Sequence, residues 1–223
     1  MSAEIDSIAR RAAVYAALGD PARLAVADAL ALGDRSPGEL GEALRMPSNL
    51  LAHHLRLLEQ AGLIERGRSE ADRRRSYVRL VPRALPTSPV PRLSAPRVVF
   101  VCTHNSARSQ LASALWARRS SVPVASAGTH PAQRVHRRAV TAGRRHGLAL
   151  EDARTARVDE VLRANDLVVA VCDTAYEALG PAPNRLHWSV PDPVRVDTQA
   201  AFERAYEEIE QRVDRLAGAV EGS

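Results

Sequence analysis

Lysine is absent from this chain, and all 31 of its basic residues are arginine. Their excess over the 26 acidic residues leaves a net charge of +5, which permits contact with nucleic acid without demanding it. Cysteine is nearly absent too. Two residues, Cys102 and Cys172, exclude a disulfide scaffold and suit a reducing, cytoplasmic setting. No apolar run reaches membrane length and no signal-peptide pattern appears, so neither insertion nor secretion is expected. His130, His136, His146 and His187 lack metal-ligand spacing, and no metal site is expected.

What is present falls into two parts. At 223 residues the chain holds one large or two small domains. The stretch VPRALPTSPVPRLSAP, residues 81–96, carries five prolines and neither a helical nor a strand period, as expected of a semi-rigid, extended linker. The expected division is a first domain over 1–82, a linker over 83–96 and a second domain over 97–223.

The first part reads as short helices followed by a hairpin. Ile5, Ile8, Ala12, Tyr15 and Ala16 recur at helical spacing, and Gly19-Asp20-Pro21 ends that helix and starts another that runs to about Leu32. Ser36-Pro37-Gly38-Glu39 supplies an N-cap, a proline at the first helical position and a capping-box glutamate for a third helix through Leu44. Ser48 is the expected N-cap of a fourth helix, which buries Leu51, Leu55 and Leu58 and stops at Gly62. Leu63–Gly67 and Ser76–Leu80 alternate like two strands joined by a charged turn. This order is that of a mainly α winged helix-turn-helix.

GDPARLAVADAL and PSNLLAHHLRLLEQAGLIERGR resemble the ArsR family of winged-helix repressors over residues 1–82. The resemblance implies a recognition helix over about Ser48 to Gln60. It would present Ser48, Asn49, His53, His54 and Arg56 to the major groove of a double-stranded operator, with Arg66, Arg68, Arg73, Arg74 and Arg75 reaching phosphates from the wing. It also implies a homodimer. Because prolines follow the wing directly, that dimer would close through the first helix or the second domain.

The second part is organised around VVFVCTHNSARSQLA, residues 98–112: an apolar β-branched run, a cysteine, five residues, Arg108-Ser109, then an apolar-periodic helix. A loop between strand end and helix start gathers inward-pointing N–H groups and the positive end of the helix dipole, a cradle for a tetrahedral dianion. Arg108 can grip two oxygens of such an anion with its planar fork. Cys102 faces the same cradle, where cysteine pKa values of roughly 3.5–7.5 are found. Ser109 can donate to its thiolate, and Asn105 tolerates a left-handed backbone. Further strands are expected at 122–127, 167–171 and 185–190, and further helices at 136–146, 158–163 and 198–219. The alternation argues for an α/β three-layer domain with a small four-stranded parallel sheet and its ligand at the strands' carboxyl ends.

The Cys102 loop resembles the signature of the low-molecular-weight tyrosine phosphatase family and of arsenate reductases sharing its fold, over roughly residues 96–220. That likeness implies Cys102 as nucleophile, Arg108 as oxyanion clamp, and Thr103, His104, Asn105, Ser106, Ala107, Arg108 and Ser109 as the anion cradle. Asp192, in HWSVPDPV, matches the family's Asp-Pro general acid. His104 and Ala107 stand where the tyrosine phosphatases usually have Gly and a second Cys. That loop looks more like those of single-loop-cysteine arsenate reductases, and Val194-Arg195-Val196 follows where the phosphatases carry aromatic residues, which suits a small inorganic anion.

The implied reaction is thiol-dependent reduction of arsenate: Cys102 attacks, water leaves with a proton from Asp192, and a second thiolate releases arsenite. That second thiol is either Cys172, ending in a disulfide for thioredoxin, or an external thiol such as mycothiol with mycoredoxin. The loop type and the lack of a third cysteine favour the external thiol. No cofactor is expected to stay bound. A phosphatase acting on phosphate esters, and a non-catalytic oxyanion- or arsenite-sensing transcription factor, are the alternatives.

Overall fold

The computed structural model describes residues 2–81 and 92–222, without the side chains of 2–7 and 10; most of the expected linker, 83–91, lies outside the described residues. The chain forms two compact units.

The first unit strings together α1 (Ser2–Leu18), α2 (Pro21–Ala29), α3 (Pro37–Leu44), α4 (Ser48–Gln60) and the antiparallel hairpin β1 (Ile64–Arg68) and β2 (Ser76–Leu80). The starts of α2 and α3 have local causes. Asp20 accepts from the N–H groups of Ala22 and Arg23, both at 3.0 Å, and Pro21 follows it. Ser36 and Glu39 close a reciprocal capping box. The expected cap at Ser48 is displaced by one residue. Pro47 takes the cap position without a side-chain bond, and Ser48 opens the helix proper. α2 also stops short of Leu32, with Leu30 as its C-cap. That core joins Ala17, Val26, Leu30, Leu40, Leu51, Leu55, Leu58, Leu63, Ile64, Val78 and Leu80. α1 contributes Ala17, Val14 and Leu18 to it, whereas Ile8 and Tyr15 are 62% and 54% exposed.

The second unit opens with β3 (Leu93–Ser94), a strand at the end of the expected linker. The linker's composition hid this strand, because Leu93 and Ala95 donate to Ala219 and Glu221, whose pairing no local pattern announces. There follow β4 (Val98–Cys102), α5 (Arg108–Arg119), β5 (Val124–Gly128), α6 (Arg137–Arg145), α7 (Val158–Val161), β6 (Leu167–Ala170), α8 (Asp173–Leu179), β7 (Arg185–His187), α9 (Pro193–Val196), α10 (Gln199–Ala217) and β8 (Val220–Glu221), the last paired with β3. The main sheet is parallel throughout, in the order β5-β4-β6-β7.

That order places the site. β4 connects outward to β5 through α5, and β6 connects outward to β7 through α8. Right-handed crossovers therefore put α5 and α8 on opposite faces and leave a crevice where β4 and β6 end. Cys102 closes β4 and Cys172 follows β6, so both thiols border that crevice. Beneath it, β4 and β6 are apolar and buried along their length, and the ring of Phe100 lies 6.0 Å from Trp116 and 5.6 Å from Trp188.

At the opposite end of β4, Arg97 holds Asp166 through two side-chain bonds of 2.9 and 2.6 Å and also donates to the Val161 carbonyl. Burial opposes the charge on Asp166, but the bonds from Arg97 and the Arg163 N–H prevail and hold its carboxyl below the usual range. Arg97→Met leaves a buried, unpaired carboxylate and is expected to cost roughly 3–5 kcal/mol at neutral pH by urea unfolding. A depressed carboxyl stabilises above its unfolded value and loses that contribution as pH falls through the folded one. The gap between wild type and variant should therefore close below about pH 4.

Candidate active site

The loop 103–107 joins β4 to α5, and its shape follows from its carbonyls. The oxygens of Cys102, Thr103, His104 and Ser106 accept from the N–H groups of Thr129, His130, Ala132 and His136, at 2.8–3.1 Å. In a trans peptide the C=O and the following N–H point opposite ways. Pinning the carbonyls against 129–136 turns the N–H groups of 103, 104, 105 and 107 to the loop's other side. Asn105 shows the result: its N–H donates to Cys102 Sγ at 3.1 Å.

The loop closes only because Asn105 takes a left-handed φ of +49° and because Gly128 stands beneath it. A Cβ at Gly128 would lie 2.9 Å from both Asn105 N and Thr103 O. Asn105 is saturated: Nδ2 donates to Ser109 Oγ (2.8 Å) and Ser126 Oγ (3.0 Å), and Oδ1 accepts from Ala156 N (2.9 Å). Ser109 Oγ in turn lies 3.1 Å from Cys102 Sγ.

Arg108, the first residue of α5, is 5% exposed. Its Nη1 donates to the Val190 carbonyl at 2.8 Å and its Nη2 lies 3.2 Å from Asp192 Oδ2. Burial works against its charge. Cys172, Cys102 and Asp192 together outweigh burial and raise its pKa above the ordinary guanidinium value. Asp192 is itself fixed, as N-cap of α9, by accepting from Val194 N–H at 3.1 Å.

Cys172 is the N-cap of α8, with Ala175 N–H donating to its sulfur at 3.4 Å and Thr103 Oγ1 at 3.5 Å. Asp173, next in the chain, meets His187 Nε2 at 3.0 Å inside the protein and ties α8 to β7. Burial pushes the Cys172 thiol up, Arg108 pulls it down, and charge on Cys102 adds to the rise; the balance is upward. Cys102, Arg108, Asp192 and Cys172 are thus brought together, with Thr103, Asn105 and Ser109 bonded among them. Ser106 and Ala107 are buried in the loop and His104 is exposed at its edge. Sequence reasoning missed Gln110, Ser126, Gly128 and Ala156. Gln110 belongs to the motif itself, whereas the others lie far along the chain.

In the first unit, Ser48, Asn49, His53, Arg56, Arg66, Arg68, Arg73, Arg74 and Arg75 are all exposed. Arg56 bonds His53 Nδ1 at 3.0 Å, and Arg66 pairs with Glu59 at 3.2 Å. His54 corrects the expectation. It lies between Leu51 and Leu55 on the packed face, is 7% exposed and has Nδ1 3.9 Å from Asp20 Oδ1, so it faces the core rather than a groove.

The family model for low molecular weight phosphotyrosine protein phosphatase matches residues 97–223, more than half of the chain. The chain belongs to this family. A second model, a helix-turn-helix domain, matches residues 18–67, so this family member carries a helix-turn-helix domain ahead of its phosphatase-fold domain. It is similar to an arsenate reductase of Brevibacillus brevis, 33% identical over 127 residues, spanning 54% of this chain and 92% of the relative. An arsenate reductase of Bacillus licheniformis is 31% identical over 137 residues, 56% of this chain and 97% of the relative. Among solved structures, the tyrosine phosphatase Wzb from Escherichia coli K30 shares the fold, with a TM-score of 0.51 at 23% identity over 56% of this chain and 97% of that one. These likenesses support a phosphatase-like or arsenate-reductase enzyme. Among the described residues no helix is long and apolar enough to cross a membrane.

Gly128→Ala should open the loop by forcing Asn105 and Thr103 away from the added methyl. Calorimetric titration with inorganic phosphate is expected to show at least tenfold weaker binding, while wild-type affinity would show that the close approach is unimportant.

Proposed function

We propose that the second domain reduces arsenate to arsenite, and that the first is a DNA-binding regulator of arsenic resistance joined to it in the same chain. The carrying observation is the placement of a second thiol, Cys172, beside the Thr103 hydroxyl and Arg108 at the rim of the Cys102 loop. A phosphatase needs one thiol. Reduction of As(V) needs two, because both electrons come from sulfur.

In this reading the loop N–H groups and Arg108 hold arsenate, and Cys102 attacks arsenic. The displaced oxygen leaves as water with a proton from Asp192. Cys172 then attacks Cys102 Sγ. The S–S bond forms, the S–As bond breaks with its electron pair going to arsenic, and arsenite departs as two thiols become one disulfide. Burial holds the Cys172 thiol up, and Arg108 with the hydrogen bonds from Thr103 and Ala175 opposes it and favours the thiolate that attacks. The position of Cys172 thus moves the second step from the external thiol, which the loop type alone favours, to the chain's own thiol, and an external donor, thioredoxin or mycothiol with mycoredoxin, then restores both thiols. The absence of aromatic residues after Asp192-Pro193 also suits a small anion over an aryl phosphate.

For the first domain, exposed Ser48, Asn49, His53 and Arg56 supply base-edge and phosphate contacts from α4, with Arg68 and Arg73 from the wing; His54 is withdrawn from that set. The exposed Ile8 and Tyr15 of α1 suit the contact of a cytoplasmic homodimer.

Arsenate-dependent turnover with each donor system is the test. Cys102→Ser should abolish activity, Arg108→Ala should lower kcat/KM by about 10²–10³, and Asp192→Asn should lower kcat by about 10²–10⁴. Turnover of p-nitrophenyl phosphate far above that of arsenate would replace the reductase reading with a phosphatase. For the DNA-binding part, Arg56→Ala should weaken operator binding in a gel-shift titration by about 1–3 kcal/mol if it reads a base.

A further inference from the structure

Gln110 is almost wholly buried one residue beyond the Arg-Ser pair of the anion loop, yet no step above uses it. Its Nε2 lies 3.1 Å from the Asn105 carbonyl, 3.2 Å from Asn105 Oδ1 and 2.9 Å from the Arg154 carbonyl. Two of these partners are backbone oxygens, which only accept, so the amide nitrogen must face them.

The chain of consequences runs outward to the sulfur. Gln110 clamps the Asn105 side chain to its own backbone, in the left-handed conformation at φ +49° that brings Asn105 N–H onto Cys102. By holding Arg154 it also keeps the 154–156 segment in place, from which Ala156 N–H reaches Asn105 Oδ1. With donors from Gln110 and Ala156 on Oδ1, the opposite end of the Asn105 amide, Nδ2, must face Ser109 and Ser126. Ser109 Oγ then accepts from Asn105, and its single proton is left to point at Cys102 Sγ.

We propose that Gln110 is a positioning residue for the nucleophile: it fixes the direction of the Asn105–Ser109–Cys102 hydrogen-bond chain, so that both Asn105 N–H and the Ser109 hydroxyl donate to the reacting sulfur. The inference rests on Cys102 being the reacting thiol, and holds whether that thiol meets arsenate or a phosphate ester.

The test is the pH dependence of iodoacetamide alkylation at Cys102 in the full chain, followed by mass spectrometry of the Cys102 peptide, for wild type and Gln110→Met. Methionine keeps the length and removes the donors. The profile should move up by about one pH unit, so that on its rising, acidic limb the variant reacts about tenfold more slowly. Superimposable profiles would overturn the proposal. If Gln110→Met does not unfold cooperatively, Gln110→Glu, which keeps the shape and sets a carboxylate against three oxygens, should show a larger upward shift. Loss of folding in both would make Gln110 a packing residue and overturn it equally. Because alkylation needs neither arsenate nor reductant, a shifted profile in a protein without arsenate turnover would keep the positioning role and remove the reductase reading.

Discussion

The second domain depends on peptide planarity at one place. Four carbonyls of the segment 102–106 are taken by a run of N–H groups between Thr129 and His136, and each trans peptide then has to send its N–H the other way. The loop is therefore shaped from outside, by the segment that leaves β5. This explains why Gly128 belongs to the site although it bears no functional group: the supporting segment has to pass against the loop with no Cβ between them.

The sheet order supplies the rest of the geometry. Reversal of winding between β4 and β6 opens the crevice, and the two cysteines stand there, Cys102 ending β4 and Cys172 two residues past β6. Arg108 and Asp192 reach the crevice from different directions, one at the start of α5 and one capping the short α9, and they meet at 3.2 Å. In this arrangement Asp192 rests on the Arg108 guanidinium, so two side chains from different elements hold each other at the crevice.

Much of this was legible in the sequence because the signals are local. Strand, cysteine, five-residue loop, Arg-Ser and helix lie within fifteen consecutive positions, and the caps at Asp20 and Ser36 follow from residue type and spacing. What escaped was set by contacts distant along the chain. Gln110 stands inside the motif, but its partners Asn105 and Arg154 come together only in the fold. The strand Leu93–Ser94 exists because Val220–Glu221 returns to it, and no proline count could reveal that. His54 was misread for a related reason. Adjacent histidines on a helix point about 100° apart, so one of the pair can face solvent while the other lies against Asp20 and the leucine core.

The central claim is that two thiols of this one chain supply the electrons that reduce arsenic. The most direct measurement is a single turnover: fully reduced protein mixed with one equivalent of arsenate and no external reductant, followed by assay of arsenite and mass mapping of the cysteines. One arsenite per chain, loss of both free thiols and a Cys102–Cys172 disulfide are expected. Two free thiols and no arsenite, with turnover appearing only when an external thiol is added, would contradict that claim.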